Sequence, residues 1–383
     1  MSKLDLIPRD ISDSEFSGIL DDSLRVFFKN ALKIALTNPS QAYFFLRTLR
    51  WQKKAAGLRA SWENQGIHVP PIMIFSITNR CNLSCKGCYH QAIRKSPQSE
   101  MSNEKMQSVI NETKELGISF IVIAGGEPLV RLEILDTIKN FPEIIFLVFT
   151  NGLLIDEELS KKLKGIKNLI PVISLEGYGI ETDDRRGKGV YERLQRIIKR
   201  IKGKGIFWAT SLTVTSSNFD TITDKQFVKQ LIDLGCKLFF FIEYSPIREG
   251  TDNWILSKEQ RTNITRIRDS LRKEFPALFI AIPGDEEEVG GCLSAGRGFV
   301  HINAEGDVEP CPFAPYSDTN LRDLSLKEAL QSEFLKAIRQ NRKQLSEEEG
   351  GCVLWQKRDW VRSLLHNQSS VRFQRISPSN KHL

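Results

Sequence analysis

The chain has 383 residues, of which 40% are hydrophobic, so it can bury a large core in one or two domains. It has no run of about eighteen or more uncharged apolar residues and no signal-peptide pattern in its polar N-terminus, so we expect a cytoplasmic protein. The net charge of +7 is accompanied by no recognisable RNA- or DNA-binding motif, so we expect no nucleic-acid partner.

Residues 1–70 are predicted to form a helical segment, with two or three helices over about 13–66 that break at Asn38-Pro39. Between Leu24 and Trp62 the segment has eight basic residues and no acidic one, interleaved with aromatic side chains. Two interpretations stay open. The segment caps the core with a solvated basic face, or it contacts an anionic membrane surface peripherally.

Over residues 71–284, strand-like apolar runs alternate with amphipathic helical patterns, such as the one at 190–203. Most of the apolar runs are continuous, which is typical of strands covered on both faces in a parallel sheet. Six such units predict an α/β fold, either a parallel barrel or an open sheet. The six runs are 71–78, 118–124, 144–150, 169–175, 206–214 and 237–244.

Three cysteines follow the first predicted strand within the stretch SITNRCNLSCKGCYHQ. Cys81, Cys85 and Cys88 have the spacing C-x3-C-x2-C, and three close thiolates can ligate three irons of an iron–sulfur cluster and leave the fourth iron open. Structural zinc is the competing interpretation, because His90 could complete a four-ligand site with these thiols. In the reducing cytoplasm, either metal site is favoured over a disulfide.

Short polar or glycine-containing motifs follow the next three strands. They are Gly125-Gly126-Glu127-Pro128, Thr150-Asn151-Gly152 and Ser174-Leu175-Glu176-Gly177. In a parallel α/β barrel the loops at the carboxyl ends of the strands build the active site. The three motifs and the cysteine loop are therefore predicted to form one functional site at a single rim.

With these motifs, the sequence resembles the radical SAM enzymes over about residues 71–282. The resemblance implies a partial (β/α)6 TIM-type barrel and a [4Fe–4S] cluster on Cys81, Cys85 and Cys88, whose open iron binds S-adenosylmethionine (SAM). It implies that one electron from the cluster cleaves SAM to a 5′-deoxyadenosyl radical, which abstracts hydrogen from the substrate. An electron donor such as ferredoxin or flavodoxin is implied as a partner.

The same resemblance identifies no catalytic residue. It implies that eight residues at or after the strand ends contact SAM. They are Gly125, Gly126 and Glu127 for the amino group, Thr150 and Asn151 for the ribose, Ser174 and Arg186 for the carboxylate, and Glu176 for the ribose or the substrate. The alternative for Arg186 is an exposed residue at a helix N-terminus. One departure is Gly87, because many members have an aromatic residue before the last cysteine.

A second cysteine group lies in residues 285–370. The stretch FVHINAEGDVEP is predicted to form a β-hairpin that brings Cys292 and Cys311 together, and Cys352 follows a predicted helix near 325–340. This region resembles the SPASM and twitch extensions of radical SAM enzymes, which implies that the three thiols bind at most one auxiliary iron–sulfur cluster. The alternative is that they are small buried residues.

Three further predictions concern the remaining residues. Cys236 precedes a strand and is predicted to be a core residue at the opposite rim, while His301 is predicted to be a strand residue of the hairpin rather than a ligand. Residues 371–383 are polar and are predicted to be disordered.

These features together predict a radical SAM oxidoreductase or modifying enzyme that acts on a peptide or a small metabolite. Two alternatives stay open. The same chemistry could act on a membrane lipid reached through the N-terminal segment, or the chain could be a non-enzymatic zinc-binding scaffold.

Overall fold

The computed structural model of the chain describes residues 13–35, 39–93, 99–287, 291–345 and 352–366. The predicted disordered tail at 371–383 lies outside these residues. In the described part, a single sheet of nine strands runs through the molecule. The strands are β1 (Ile72–Ser76), β2 (Phe120–Ala124), β3 (Ile145–Thr150), β4 (Leu169–Leu175), β5 (Trp208–Val214), β6 (Cys236–Glu243), β7 (Leu278–Ile282), β8 (Phe299–Ile302) and β9 (Val308–Glu309).

The strand order in the sheet is β7-β6-β5-β4-β3-β2-β1-β8-β9. Strands β1 to β7 are parallel and neighbour one another in chain order, β8 is parallel to β1, and β9 is antiparallel to β8. The sheet is therefore open, with β7 and β9 at its edges, and the predicted α/β fold with a partial barrel is confirmed. All six predicted strands form, and β7 is a seventh parallel strand that the sequence prediction did not include.

Helices connect the parallel strands and cover the sheet. The helices that begin before β7 are α1 (Asp13–Ala35), α2 (Pro39–Glu63), α3 (Tyr89–Ile93), α4 (Asn103–Leu116), α5 (Ile134–Lys139), α6 (Glu157–Gly165), α7 (Gly179–Arg186), α8 (Val190–Gly203), α9 (Phe219–Thr223), α10 (Lys225–Asp233) and α11 (Lys258–Glu274). Those after β7 are α12 (Gly284–Glu287), α13 (Leu326–Ala329), α14 (Glu333–Gln340), α15 (Val353–Gln356) and α16 (Arg358–His366).

Local sequence explains where the connecting helices begin and end. The Ser102 hydroxyl accepts a hydrogen bond from the Lys105 N–H at the start of α4, and Gly117 ends this helix in the left-handed conformation at φ 86°. In α8, Leu194 and Ile198 belong to an apolar stripe that is buried against the sheet. The helices therefore follow the amphipathic patterns that predicted them.

Helices α1 and α2 cover one face of the sheet with aromatic side chains. The Phe28 ring stacks on Phe120 of β2 with their centroids 5.1 Å apart, and Phe45 contacts Phe207 edge-on at 5.5 Å. Arg59 is buried and pairs with Asp21 and the Gly117 carbonyl, whereas the other seven basic residues between Leu24 and Trp62 are exposed. The segment thus caps the sheet with a basic outer surface. None of the described helices combines the length and apolarity needed to cross a bilayer.

The C-terminal region continues the same sheet. The predicted hairpin forms as β8 and β9, with its turn over residues 303–306, and β8 pairs with β1 beside the cysteine loop. The helix predicted near 325–340 is observed as two helices, α13 and α14, and Ser332 caps the second by accepting a hydrogen bond from the Leu335 N–H. The strands β1 and β8 therefore join the region of the second cysteine group to the parallel core.

Candidate functional site

The three cysteines of the C-x3-C-x2-C loop lie at the carboxyl end of β1, at the predicted rim. Cys81 is exposed, and Cys85 and Cys88 are half-buried. The loop is fixed from its far side, because the Lys86 N–H donates to the Arg185 carbonyl oxygen at 2.8 Å. The loop therefore has a defined position next to the C-terminal end of α7.

The glycine pair after β2 lies directly against the start of this loop. The Gly126 N–H donates to the Thr78 carbonyl and the Glu127 N–H donates to the Arg80 carbonyl, each at 2.8 Å. A Cβ atom on Gly125 would lie 2.3 Å from the Thr78 oxygen, and one on Gly126 would lie 2.2 Å from the Arg80 oxygen. The two glycines are therefore required by packing against the cysteine loop, and their contact with SAM stays a prediction.

Glu127 joins the carboxyl ends of β2 and β3. Its Oε1 accepts hydrogen bonds from the Thr150 hydroxyl at 2.7 Å and the Leu129 N–H at 3.0 Å, and its Oε2 accepts one from the Asn151 N–H at 2.7 Å. Burial raises the pKa of Glu127, although these hydrogen bonds oppose the rise. The Asn151 amide in turn donates to Asn82 Oδ1 of the cysteine loop at 2.6 Å, so three of the predicted residues, Gly126, Glu127 and Asn151, hydrogen-bond directly to this loop.

Glu176 and Arg186 meet at the end of β4, together with Arg185. The Arg186 guanidinium donates through Nε and Nη2 to the two carboxylate oxygens, and Arg185 Nη1 donates to Oε1 at 2.5 Å. Burial opposes ionisation of Glu176, but Arg186 and Arg185 outweigh it and lower the pKa of this carboxyl. Arg186 is thus buried at the C-terminal end of α7, so the alternative of an exposed residue at a helix N-terminus is wrong.

Ser174 is the predicted SAM-binding residue that lies within β4 itself. It is half-buried near the end of β4 and pairs in register with Ser211 of β5. Next along β5, the Thr213 hydroxyl accepts a hydrogen bond from Arg185 Nη1 at 2.8 Å. Strands β2, β3 and β4 therefore bring the predicted motifs to one edge of the sheet, as the parallel arrangement required.

Sequence reasoning missed three residues of this rim. Arg185 is one, and its only signal was its position beside Arg186 in the stretch DDRRGKG. The other two are Tyr244, directly after β6, and Trp254, whose rings pack against Gly87 of the cysteine loop. No local motif marks these aromatic residues, because they reach the loop only through the fold.

In the second cysteine group, Cys292 and Cys311 are buried and Cys352 is half-buried. Burial raises the pKa of Cys292. The interaction between the Cys311 and Cys352 thiols raises the pKa of Cys311 and lowers the pKa of Cys352. The structure therefore brings together the three cysteines that the sequence grouped.

Across the described ranges, no set of three or more His, Cys, Asp or Glu side chains is arranged to hold one metal ion.

His301 and Cys236 have the structural roles predicted for them. The His301 ring contacts Glu309 Oε2 through Nδ1 and the Ser76 hydroxyl through Nε2, both at 2.8 Å, so it links β8 to β9 and to β1. Cys236 is fully buried at the start of β6, at the rim opposite the cysteine loop. His301 is thus a residue of the hairpin strand and Cys236 a core residue, as predicted.

An aromatic contact connects the two cysteine groups. The Tyr89 ring, one residue after Cys88, meets the Phe313 ring, two residues after Cys311, edge-on with centroids 4.8 Å apart. Edge-to-face pairs of this kind hold their elements in a defined orientation. The two groups of thiols therefore belong to one continuous structure.

Two family profiles match the chain. The radical SAM superfamily profile matches residues 75–230, and the profile of the SPASM iron–sulfur cluster-binding domain matches residues 292–352. The first range contains the cysteine loop and the strand-end motifs. The second begins at Cys292 and ends at Cys352, so it contains the whole second cysteine group.

Two relatives illustrate the similarity to curated proteins. The AdoMet-dependent heme synthase of Methanosarcina barkeri is 25% identical over 289 residues, which are 68% of this chain and 82% of that protein. The subtilosin biosynthesis protein AlbA of Bacillus subtilis is 31% identical over 252 residues, which are 63% of this chain. The matched region spans only 54% of AlbA, so AlbA is considerably longer than the region the two share.

The fold is that of a solved structure. SuiB of Streptococcus suis, in a crystal structure with its precursor peptide SuiA, has a TM-score of 0.61 and 20% identity, and the match covers 85% of this chain and 79% of SuiB. SuiB has also been solved bound to S-adenosylmethionine, with a TM-score of 0.62. At this identity the likeness is one of fold, and it agrees with the open α/β sheet described above.

Proposed function

We propose that this chain, which belongs to the radical SAM superfamily and carries a C-terminal SPASM domain, is an enzyme that modifies a peptide. The cofactors of the family are a [4Fe–4S] cluster and SAM. When bound, they supply a 5′-deoxyadenosyl radical that abstracts hydrogen from the substrate. The chain's own residues would hold and orient these groups.

The cysteine loop is the site that we assign to the [4Fe–4S] cluster, with Cys81, Cys85 and Cys88 as ligands. Three thiols on one loop are the donor set that ligates three irons and leaves the fourth iron open. Burial raises the pKa of Cys85, and the nearby guanidinium groups of Arg186 and Arg185 counter that rise. Because iron binds the thiolate, this positive charge favours the ionised form of Cys85.

The turn after β2 is the site that we assign to the amino group of SAM. The N–H groups of Gly126 and Glu127 donate to the Thr78 and Arg80 carbonyls, so they hold the cysteine loop. An ammonium group needs hydrogen-bond acceptors. We therefore assign its binding to the carbonyl oxygens of Gly125 and Gly126.

The ends of β3 and β4 provide the remaining polar groups that we assign to SAM. We assign the ribose to Thr150 and Asn151 and the carboxylate to Ser174 and Arg186, because a guanidinium binds carboxylates in a planar geometry. The carboxylate of Glu176 is shared by two arginines. We therefore propose that Glu176 positions Arg186 and does not itself bind the ribose.

The second cysteine group is the site that we assign to an auxiliary iron–sulfur cluster. Cys292, Cys311 and Cys352 lie at one place, and the SPASM match spans all three. The donor set is again three thiols, which suits iron and sulfide. The alternatives of a zinc scaffold and of a lipid substrate have no support among the comparisons.

The observation that carries the peptide proposal is the combination of both domains in a chain that resembles peptide-modifying proteins. AlbA is named for the biosynthesis of the bacteriocin subtilosin, and SuiB has been crystallised with a precursor peptide. A second candidate is a tetrapyrrole substrate, because the match to the heme synthase covers 82% of that protein. Both candidates use the same radical chemistry and differ in what the rim must bind.

Metal content tests the two cluster assignments. We expect about eight irons with matching sulfide per anaerobically purified chain, about four after Cys81→Ala, and about four after Cys311→Ala. Cys236→Ala is the matched control, because this cysteine lies at the opposite rim, and it should retain about eight irons. Zinc without sulfide would refute the assignment of both sites.

Product analysis tests the substrate. The reconstituted protein is incubated anaerobically with SAM, a reductant and either short peptides encoded beside its gene or iron-coproporphyrin III, the tetrapyrrole for which another relative, the Fe-coproporphyrin III synthase of Methanosarcina barkeri, is named. We expect 5′-deoxyadenosine together with a mass change in a peptide and an unchanged porphyrin. Conversion of the porphyrin with unchanged peptides would instead select the tetrapyrrole candidate.

A further inference from the structure

Two aromatic side chains border the cysteine loop at the carboxyl end of β6. Gly87, just before Cys88, is buried and has φ +64°. A Cβ atom built on Gly87 would lie 2.6 Å from Cζ3 of Trp254, 2.7 Å from Oη of Tyr244 and 3.1 Å from Cε2 of the same ring. The two rings therefore occupy the space that a side chain at position 87 would fill.

The two rings form a fixed pair. Their centroids are 5.1 Å apart with an interplanar angle of 54°, and the Tyr244 hydroxyl donates to Thr251 Oγ1 at 2.9 Å. The Trp254 carbonyl accepts a hydrogen bond from the Ser216 N–H at 3.0 Å, which fixes the turn that carries the indole. The indole position is thus set by contacts on both sides of the turn.

The indole differs from an ordinary core side chain. Tyr244 is buried, but Trp254 is only half-buried, and neither ring belongs to the two apolar clusters that cover the described sheet. Both rings lie against Gly87, the residue directly before Cys88. Trp254 therefore presents an aromatic surface at the rim beside a cluster ligand.

We propose that Trp254, supported from behind by Tyr244, binds the adenine ring of SAM by stacking. This inference rests on the proposed function, because it requires SAM at the cysteine loop. The adenine is the flat aromatic part of SAM, and aromatic side chains bind bases through their faces without needing a base-specific hydrogen bond. Gly87 has the complementary role of leaving room for the indole and phenol beside Cys88.

The test measures binding of ligands that contain different parts of SAM. Equilibrium dialysis is carried out anaerobically on the reconstituted full chain with SAM, with 5′-methylthioadenosine, which lacks the amino acid part, and with methionine, which lacks the adenine. The variants are Trp254→Ala and Trp254→Phe. The control is Trp51→Ala, which removes a half-buried indole of α2 that contacts Arg47.

We expect Trp254→Ala to weaken the binding of SAM and 5′-methylthioadenosine about tenfold, the loss of one base–aromatic stack, while methionine binding stays unchanged. Trp254→Phe should bind all three ligands nearly as the unchanged chain does, because it keeps an aromatic face. Iron and sulfide content should be the same in all four proteins.

Three results would overturn the inference. The first is unchanged binding of 5′-methylthioadenosine by Trp254→Ala. The second is that Trp254→Ala binds methionine and 5′-methylthioadenosine with an equal loss of affinity. The third is loss of iron from both Trp254 variants, which would mean that the indole only supports the cysteine loop. Failure of the proposed function looks different, because the unchanged chain would then bind neither iron nor SAM.

Discussion

Replacing Glu176 by glutamine removes the negative charge that Arg185 and Arg186 share. The glutamine keeps the shape of the side chain, so the change isolates the charge. The Glu176 side chain is 2% exposed and that of Arg186 is 9% exposed, so solvent cannot compensate the guanidinium that remains. The perturbation therefore leaves a buried positive charge without its partner.

The expected cost follows from this burial. Removing one partner of a buried ion pair destabilises a protein by about 3–5 kcal/mol, because the other charge remains desolvated. The pair formed by Lys86 and Asp184 is the matched comparison. It also joins the cysteine loop to α7, with Nζ and Oδ1 2.6 Å apart, but its side chains are 59% and 63% exposed. Loss of such a surface pair costs about 0–1 kcal/mol.

The assay compares the free energy of unfolding of Glu176→Gln and Asp184→Asn in urea, with circular dichroism as the signal. Both changes turn a carboxylate into an amide. We expect Glu176→Gln to lose at least about 2 kcal/mol more than Asp184→Asn. Equal losses would refute the view that the buried pair stabilises the end of β4. Since the pKa of Glu176 is lowered, its contribution is present at neutral pH and should disappear only in acid, below the ordinary value of 4.5.

Three further predictions concern other parts of the chain. Gly126→Ala should lower the iron content and reduce the free energy of unfolding by about 1–3 kcal/mol, because the added Cβ would overlap the Arg80 carbonyl. The control is Gly165→Ala, whose Cβ would meet open space, and it should change neither the iron content nor unfolding in urea. Burial raises the pKa of Glu286 to about 7, so the folded chain retains a proton that the unfolded chain releases near 4.5. The free energy of unfolding should therefore fall by about 3 kcal/mol as the pH rises from 4.5 to 7. Urea titrations at several pH values measure this fall, and Glu286→Gln should abolish it. Phe28→Ala should lower the unfolding free energy by about 3–5 kcal/mol, and a loss below 1 kcal/mol would contradict the packing described for α1.

The elements with a strong local signal were predictable from the sequence. The stretch VYERLQRIIKRIKG was predicted as a helix at 190–203 and forms α8 over Val190–Gly203, because its apolar residues recur at helical spacing and it ends in glycine. The hairpin of β8 and β9 was predictable from its turn residues. The strand β7 was not predicted, because its five-residue run is too short to distinguish a buried strand from other apolar segments.

Contacts between segments that are distant in the chain could not be predicted from the sequence. The motif GGEP indicated a site, but the structure was needed to see that Gly126 packs on the Arg80 carbonyl. The pairing of Arg186 with Glu176 and the approach of Trp254 to Gly87 depend on which strands are neighbours and in which register. Periodicity and motifs predict which face of a helix or strand is buried, whereas tertiary packing determines which side chains contact one another across the rim.

The pairing of β8 with β1 makes the C-terminal region and the parallel core one mechanical unit. β1 leads into the loop of Cys81, Cys85 and Cys88, and β9, which is separated from β1 only by β8, leads into Cys311. Strand spacing and the contact of Tyr89 with Phe313 therefore constrain the distance between the cysteine loop and Cys311. Cutting the chain before β8 would leave the backbone groups of β1 unpaired, which creates a new edge that invites aggregation. The core should therefore be expressed with its C-terminal region attached.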